Sequence, residues 1–189
     1  MLKIGILGDI GSGKSYVAKH FGYPVFNADI EVGKLYKKDK KIFNKLKRSL
    51  SKYVYSFPVN KDELSNAILT NKSNLRKIVR IVHPEIKKKM NIFLKKNKNK
   101  KVLILDIPLL LENKINKKND ILIFVQSKKA EIFKRLKKRK NFNIKLLKEL
   151  KSIQLPLDYK KKKSNYIIKN NFTHRGIKRS INNILKKIL

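Results

Sequence analysis

Near the amino end stand eight residues whose types and spacing can do chemistry together, Gly8-Asp9-Ile10-Gly11-Ser12-Gly13-Lys14-Ser15. The spacing is G-x-x-x-x-G-K-S, the P-loop pattern, and the chemistry it implies is the gripping of a nucleoside triphosphate. Glycines let the backbone curl so that successive N–H groups face an anion, and they leave no Cβ in the way of phosphate. The helix that follows would add its positive dipole end at the same spot. Lys14 would reach the β- and γ-phosphates, and the Ser15 hydroxyl would coordinate a magnesium ion bridging them. The cradle is expected to run from Gly8 through Tyr16, with a nucleoside triphosphate and magnesium as its ligands. Asp9 is the awkward member. A carboxylate beside phosphates repels them unless it points away, so its side chain is expected to face outward.

Two further carboxylates could complete a transfer site. Asp29 closes Asn27-Ala28-Asp29, just after the apolar Tyr23-Pro24-Val25-Phe26, and Asp106 closes Val102-Leu103-Ile104-Leu105-Asp106. Both runs read as strands of a parallel sheet, and ligands of such sheets bind at the carboxyl ends of the strands. Asp29 is the first candidate for a catalytic carboxylate; its alternative role is to cap a helix beginning near Ile30. Asp106 stands where nucleotide-hydrolysing P-loop proteins hold magnesium, directly or through water. Arg135 and Arg139, four apart on the basic amphipathic run Ala130 to Lys140, could clamp phosphate or be solvated.

The elements that must position these residues are legible in outline. Leu2 to Leu7, Tyr23 to Phe26, Val102 to Asp106, Ile121 to Val125 and Tyr166 to Ile168 read as strands. Lys14 to about Phe21 reads as the helix after the loop. Ile30 to Leu50 is loosely helical with a break near Lys38-Asp39-Lys40, Tyr53 to Pro58 an extended connector, and Asp62 to Leu69 a helix. Ser73 is placed to cap the next helix. Pro84 disfavours the α conformation at His83, so two helices are expected there, the second reaching about Lys96. This all-helical block lies between the second and third strands, as an inserted substrate subdomain would. Ala130 to Lys140 and Asn143 to Ile153 are helices, and with the run Lys160-Lys161-Lys162-Lys163 they have the basic, mobile character of a lid. Arg175 to Leu189 closes the chain, with Ile177, Ile181, Ile184, Leu185 and Ile188 as its buried stripe.

Composition bounds the rest. A chain of 189 residues suffices for one α/β domain with a substantial core. It has no cysteine, which excludes disulfides, thiolate metal sites and cysteine nucleophiles, and three scattered histidines make a structural zinc site improbable. The formal net charge of +36 suggests a polyanionic partner. Against that, lysine, asparagine and isoleucine make up nearly half the chain from end to end, and arginine, the better reader of phosphates and bases, is scarce. The charge is therefore read as lysine-rich solvated faces that help gather an anionic substrate, with no specific nucleic-acid partner expected. No apolar run approaches the length of a membrane span, and the start lacks a signal-peptide pattern, so the cytoplasm is the expected compartment.

Several separated segments together resemble the dephospho-CoA kinase family of P-loop kinases. They are Ile6 to Ser15, Asn27-Ala28-Asp29, His83-Pro84-Glu85-Ile86, Pro108-Leu109-Leu110-Leu111-Glu112, Arg135 to Arg139, Gln154 and Tyr166 to Asn170, in the family's order across essentially the whole chain. The resemblance implies transfer of the ATP γ-phosphoryl group to the ribose 3′-hydroxyl of dephospho-CoA, giving coenzyme A. It implies an α/β, three-layer fold: a core over about 1–30, 100–127 and 164–189, a helical CoA-binding insert over about 31–99 and a lid over about 128–163. By resemblance Asp29 is the general base, Arg139 holds phosphate from the lid, and His83, Pro108, Leu109 and Glu112 border the acceptor. A monomer or small homo-oligomer is expected. The departures are Asp9 where glycine is usual, Asn27 where a first aspartate is common, and Asn165 where an aspartate is frequent. The rival readings are another small-molecule P-loop kinase and a nucleic-acid-stimulated P-loop ATPase.

Overall fold

In the computed structural model, which describes residues 1–189, strand β1 (Leu2–Gly8) occupies the middle of a five-stranded sheet. The other strands are β2 (Val25–Asn27), β3 (Val102–Asp106), β4 (Ile121–Gln126) and β5 (Tyr166–Lys169). Their order is β2-β3-β1-β4-β5, and every pairing is parallel. All five carboxyl ends therefore lie at one edge, the edge that must carry the site.

The residues explain the layers. Side chains alternate across a strand, so Ile4, Ile6, Val102, Ile104, Ile123, Val125 and Ile168 share one face. Two helices bury it: α1 (Lys14–His20) with Val17 and Ala18, and the final helix (His174–Ile188) with Ile177, Ile181 and Ile184. On the opposite face Gly5 makes room for Leu110. A Cβ there would overlap Leu110 Cδ2 and stand 3.0 Å from Leu122 Cδ2. Burying a Leu, Ile, Val or Phe side chain contributes about 1.5–3 kcal/mol each, so this central strand anchors the unit.

The chain divides into two compact units. One contains the sheet and comprises Met1–Asn27, Lys96–Phe142 and Gln154–Leu189; the other is helical and comprises Ala28–Lys95 and Asn143–Ile153. The helical unit starts with α2 (Ala28–Lys38), α3 (Lys40–Ser49), α4 (Lys61–Thr70) and α5 (Ser73–Lys96). The break expected near residue 39 is real, because the Asp39 carboxylate accepts the Ile42 N–H at 3.0 Å as a helix N-cap. The connector Tyr53–Pro58 is tied to α4 by the buried Glu63, which accepts the N–H groups of Tyr55 (3.0 Å) and Ser56 (3.4 Å) and the Ser56 hydroxyl.

Several expectations are corrected here. Asp29 does not cap α2: the helix begins one residue earlier, and Asp29 sits exposed in its first turn, where a negative charge suits the dipole. Ser73 is the first residue of α5, and its N–H is taken at 2.9 Å by the Asn71 side chain instead. Pro84 does not divide the helix. α5 runs unbroken through it because Leu75, Ile78, Val82, Ile86 and Met90 form one continuous buried stripe. Pro84 and Arg80 are both exposed, so the ring and the carbonyl it leaves unpaired face water, and tertiary packing overrides local preference.

In the sheet unit α6 spans Lys129–Lys137 and α8 spans Leu157–Lys162. α6 ends at Lys137 rather than near Lys140, since Leu136 is its last buried residue and Lys138 to Asn141 are all polar. α7 (Ile144–Ser152), capped by the Asn143 side chain, groups with the helical unit and packs on α4. Asn165, just before β5, donates its N–H to the Leu122 carbonyl and accepts the Leu122 N–H on its side chain, both at 2.8 Å.

Candidate active site

Each strand of the sheet delivers a polar group to its carboxyl end, and the P-loop is held among them. The loop leaves β1 at Gly8 and turns through Gly11 and Gly13, the latter at φ 90°, a left-handed conformation that side-chain-bearing residues resist. Close packing makes the same demand. A Cβ on Gly11 would stand 3.0 Å from Leu136 and 3.1 Å from Ile132, so α6 lies against the loop, and one on Gly13 would overlap the Asn170 amide. The Ser12 carbonyl accepts Asn170 Nδ2 at 2.8 Å and Ser127 Oγ at 3.0 Å. Asn170 directly follows β5 and Ser127 directly follows β4, so two strands clamp the cradle from behind.

β2 and β3 supply the other side. Asn27 and Asp106 are register partners at the ends of adjacent strands, which sets their side chains together. Asn27 Nδ2 donates to Asp106 Oδ2 and, at 3.5 Å, to Ser15 Oγ. Ser15, Asn27 and the buried Asp106 therefore converge. No group of three or more His, Cys, Asp or Glu side chains is present that could hold a metal ion. The donor set here is one hydroxyl and one carboxylate, hard oxygen ligands of the kind magnesium takes when phosphates and water complete its shell.

Lys14 turns back over the loop, with Nζ donating to the Asp9 carbonyl at 2.7 Å and the Gly8 carbonyl at 3.1 Å. Asp9 contradicts the outward-facing expectation: it is buried, and its carboxylate accepts the Ile10 N–H at 2.7 Å. A short acidic side chain that bonds the next backbone N–H folds down locally, which satisfies it without projecting into solvent. Ser12 Oγ is buried with no hydrogen-bond partner.

The basic segment after β4 is also rearranged relative to the sequence reading. Arg135 and Arg139 do not share a helical face, because α6 stops before Arg139, whose backbone N–H closes the turn onto the Leu136 carbonyl at 3.0 Å. Arg139 is exposed; Arg135 stacks over the Phe172 ring at 4.3 Å. A Cβ on Gly13 would be 3.4 Å from Phe172, which places this stack beside the loop.

After Asp106 the chain folds into turns over residues 108–114. Leu110 is fully buried against Gly5, while Pro108 and Leu109 are half-buried. Glu112 faces inward: Oε1 pairs with Lys160 Nζ at 2.6 Å and accepts the Leu155 N–H at 3.0 Å. Lys160, which the sequence groups with three further lysines in the basic lid run, is only 1% exposed. In the helical unit, Asp29 lies two residues past the end of β2 along the chain, and His83 is half-buried on α5. Desolvation of the His83 ring lowers its pKa below the ordinary 6.5.

Ser127, Lys160 and the clamping role of Asn170 escape sequence reasoning. Each pairs with a residue far along the chain, and only the placement of Ser127 and Asn170 immediately after an apolar strand gives a signal.

A parallel sheet of this order, with a P-loop leaving its central strand and Ser15 and Asp106 beside it, defines a P-loop nucleotide-binding fold. The fold matches a solved protein of Thermus thermophilus with TM-score 0.76 at 23% identity, covering 100% of this chain and 98% of that one. It also matches the dephospho-CoA kinase from Campylobacter jejuni with TM-score 0.63 at 20% identity, covering 98% and 96%. At the sequence level the profile of the dephospho-CoA kinase family matches residues 2–175. A dephospho-CoA kinase of Wolbachia sp. subsp. Brugia malayi (strain TRS) is 35% identical over 170 residues, 87% of each chain. The chain belongs to the dephospho-CoA kinase family.

Proposed function

We propose that the protein phosphorylates the ribose 3′-hydroxyl of dephospho-CoA with ATP, yielding coenzyme A and ADP. The observation that carries this reading is an intact P-loop, with Lys14 and Ser15 in register, in a chain of this family.

The Gly8–Tyr16 loop would bind the triphosphate, its backbone N–H groups and Lys14 Nζ neutralising the β- and γ-oxygens. To do so Lys14 exchanges its contacts with the Gly8 and Asp9 carbonyls for phosphate. Ser15 and Asp106 would hold magnesium, with Asn27 fixing the Asp106 carboxylate, and the ion's contribution is to neutralise charge on the phosphates. The Arg135–Phe172 stack offers a flat surface beside the loop suited to a nucleobase. Arg139 would neutralise the migrating group.

Asp29 would orient the acceptor hydroxyl and take its proton. As the 3′-oxygen bonds to the γ-phosphorus, the bond to the bridging oxygen breaks and ADP leaves. Such a transfer needs alignment and charge compensation more than covalent help. His83, Pro108 and Leu109 are assigned to the acceptor side. The corresponding role of Glu112 is indirect, since its near carboxylate oxygen is engaged by Lys160 and Leu155. The reaction would run in the cytoplasm. No helix is long and apolar enough to cross a membrane.

The test is ADP release from ATP and magnesium with and without dephospho-CoA, beside a panel of nucleoside monophosphates and small alcohols. Release that depends on dephospho-CoA is expected. Release driven by another acceptor, with none from dephospho-CoA, would overturn the assignment.

A further inference from the structure

Lys160 is the largest side chain buried to this degree in the molecule, and it carries a charge. Its ammonium meets Glu112 Oε1 at 2.6 Å and Gln154 Oε1 at 3.1 Å, while Leu155 donates its N–H to the same Glu112 oxygen at 3.0 Å. Taking two charges out of water costs about as much as their attraction returns, so such a pair is a poor device for stability alone. Its second carboxylate oxygen, Glu112 Oε2, is buried with no hydrogen bond, so the orientation of Glu112 is set by Lys160 and Leu155.

The pair fixes a short turn at its far end. The turn leaves β3 at Asp106 and is plugged into the sheet at Leu110; Glu112 is its second attachment. Between Asp106 and that attachment, Pro108 and Leu109 are half-buried and therefore partly open to a ligand. Gln154 and Leu155, which Glu112 and Lys160 hold, are the first residues after the chain returns from the helical unit. One buried ion pair thus fastens both the acceptor-side turn and the start of the segment leading to α8.

We propose that Lys160 is a positioning residue for the acceptor: through Glu112 it sets where Pro108 and Leu109 stand at the carboxyl end of β3. This rests on the reading of that turn as the acceptor side. Loss of the pair should then act on dephospho-CoA and spare ATP, whose loop is held separately by Ser127 and Asn170.

Lys160→Met leaves Glu112 buried and unpaired, and is expected to lower the melting temperature. The paired change Glu112→Gln with Lys160→Met removes both charges and keeps an acceptor for the Leu155 N–H, so its melting temperature should recover. Its KM for dephospho-CoA should nevertheless stay raised by about tenfold or more, the scale of loss from a small misplacement, with the Kd for ATP by calorimetry unchanged. Lys160→Arg, which keeps the charge but displaces it, should show the same split and serves if the paired variant folds poorly. A wild-type acceptor KM in either folded variant, or an equal loss of ATP affinity, overturns the proposal. Pro108→Ala and Leu109→Ala distinguish the two levels. If they raise the acceptor KM while the Lys160 variants do not, positioning by Lys160 fails and the turn remains the acceptor side. If none of the variants does, the reading of the turn fails as well.

Discussion

In the sheet unit the polar groups at and beyond the strand ends are cross-braced. Ser12 is held from two strands, Asp106 by its register neighbour Asn27, and Glu112 by Lys160. In the helical unit the candidate base, Asp29, is exposed in the first turn of a helix, and His83 sits half-buried midway along another. The backbone of the loop is therefore braced before ligand arrives, although Lys14 must still exchange its two carbonyl contacts, whereas Asp29 stands in the first turn of the helix that follows β2. Preorganised groups lower the barrier without reorganisation, while a surface carboxylate costs little to hold and is free to act on a proton.

If that division is right, variants in the two units should fail differently. Asp29→Asn should lower kcat by roughly two to four orders of magnitude, the usual worth of general acid–base help, with ATP binding intact. Undiminished turnover would remove Asp29 from the reaction. Lys14→Ala should reduce kcat by about 10²–10³, the scale for one lost charge-stabilising donor, and weaken ATP binding as well. A Lys14→Ala enzyme with normal ATP affinity would break the contrast, because the loop would not be the grip. Gly13→Ala tests the bracing itself. The residue sits at φ 90° and its Cβ would collide with the Asn170 amide, so a loss of about 1–3 kcal/mol in urea unfolding is expected. Unchanged stability would mean the clamp yields freely.

The same contrast explains what the sequence could and could not disclose. The P-loop and the five strands were legible because they are signalled locally: glycines at fixed spacing, and apolar runs such as Val102 to Leu105 that only burial accounts for. The three departures from the family pattern proved different in kind. Asn27 and Asn165 became hydrogen-bonding side chains at strand ends, while Asp9 folded onto its own backbone. What stayed hidden was long-range. Nothing near Lys160 distinguishes it from its three lysine neighbours, since its partner Glu112 lies on another segment. Pro84 misled for the opposite reason: its local message is strong, but the stripe from Leu75 to Met90 is stronger.

That last case gives the next prediction. Pro84→Ala restores an N–H able to reach the Arg80 carbonyl, so the protein should gain about 1 kcal/mol, the net worth of one hydrogen bond, without a change in kcat. A destabilised Pro84→Ala protein would show that α5 depends on the ring and is not simply tolerating it.

The smallest effect concerns His83, next to that proline. Desolvation holds its pKa in the folded protein below 6.5, so the unfolded chain takes up a proton first as the pH falls. Stability attributable to this ring is complete above about pH 6.5 and declines as the pH drops from there through the lower folded value. The ring is only partly buried, which keeps the change below that of the other substitutions. His83→Gln should lessen the fall of the unfolding free energy as the pH drops below about 6.5 while leaving it unaltered at pH 8. An equally sloped profile in the variant would assign the acid sensitivity to other groups. If the acceptor KM moved in step with the ring's protonation, His83 would be serving the ligand as well as the helix.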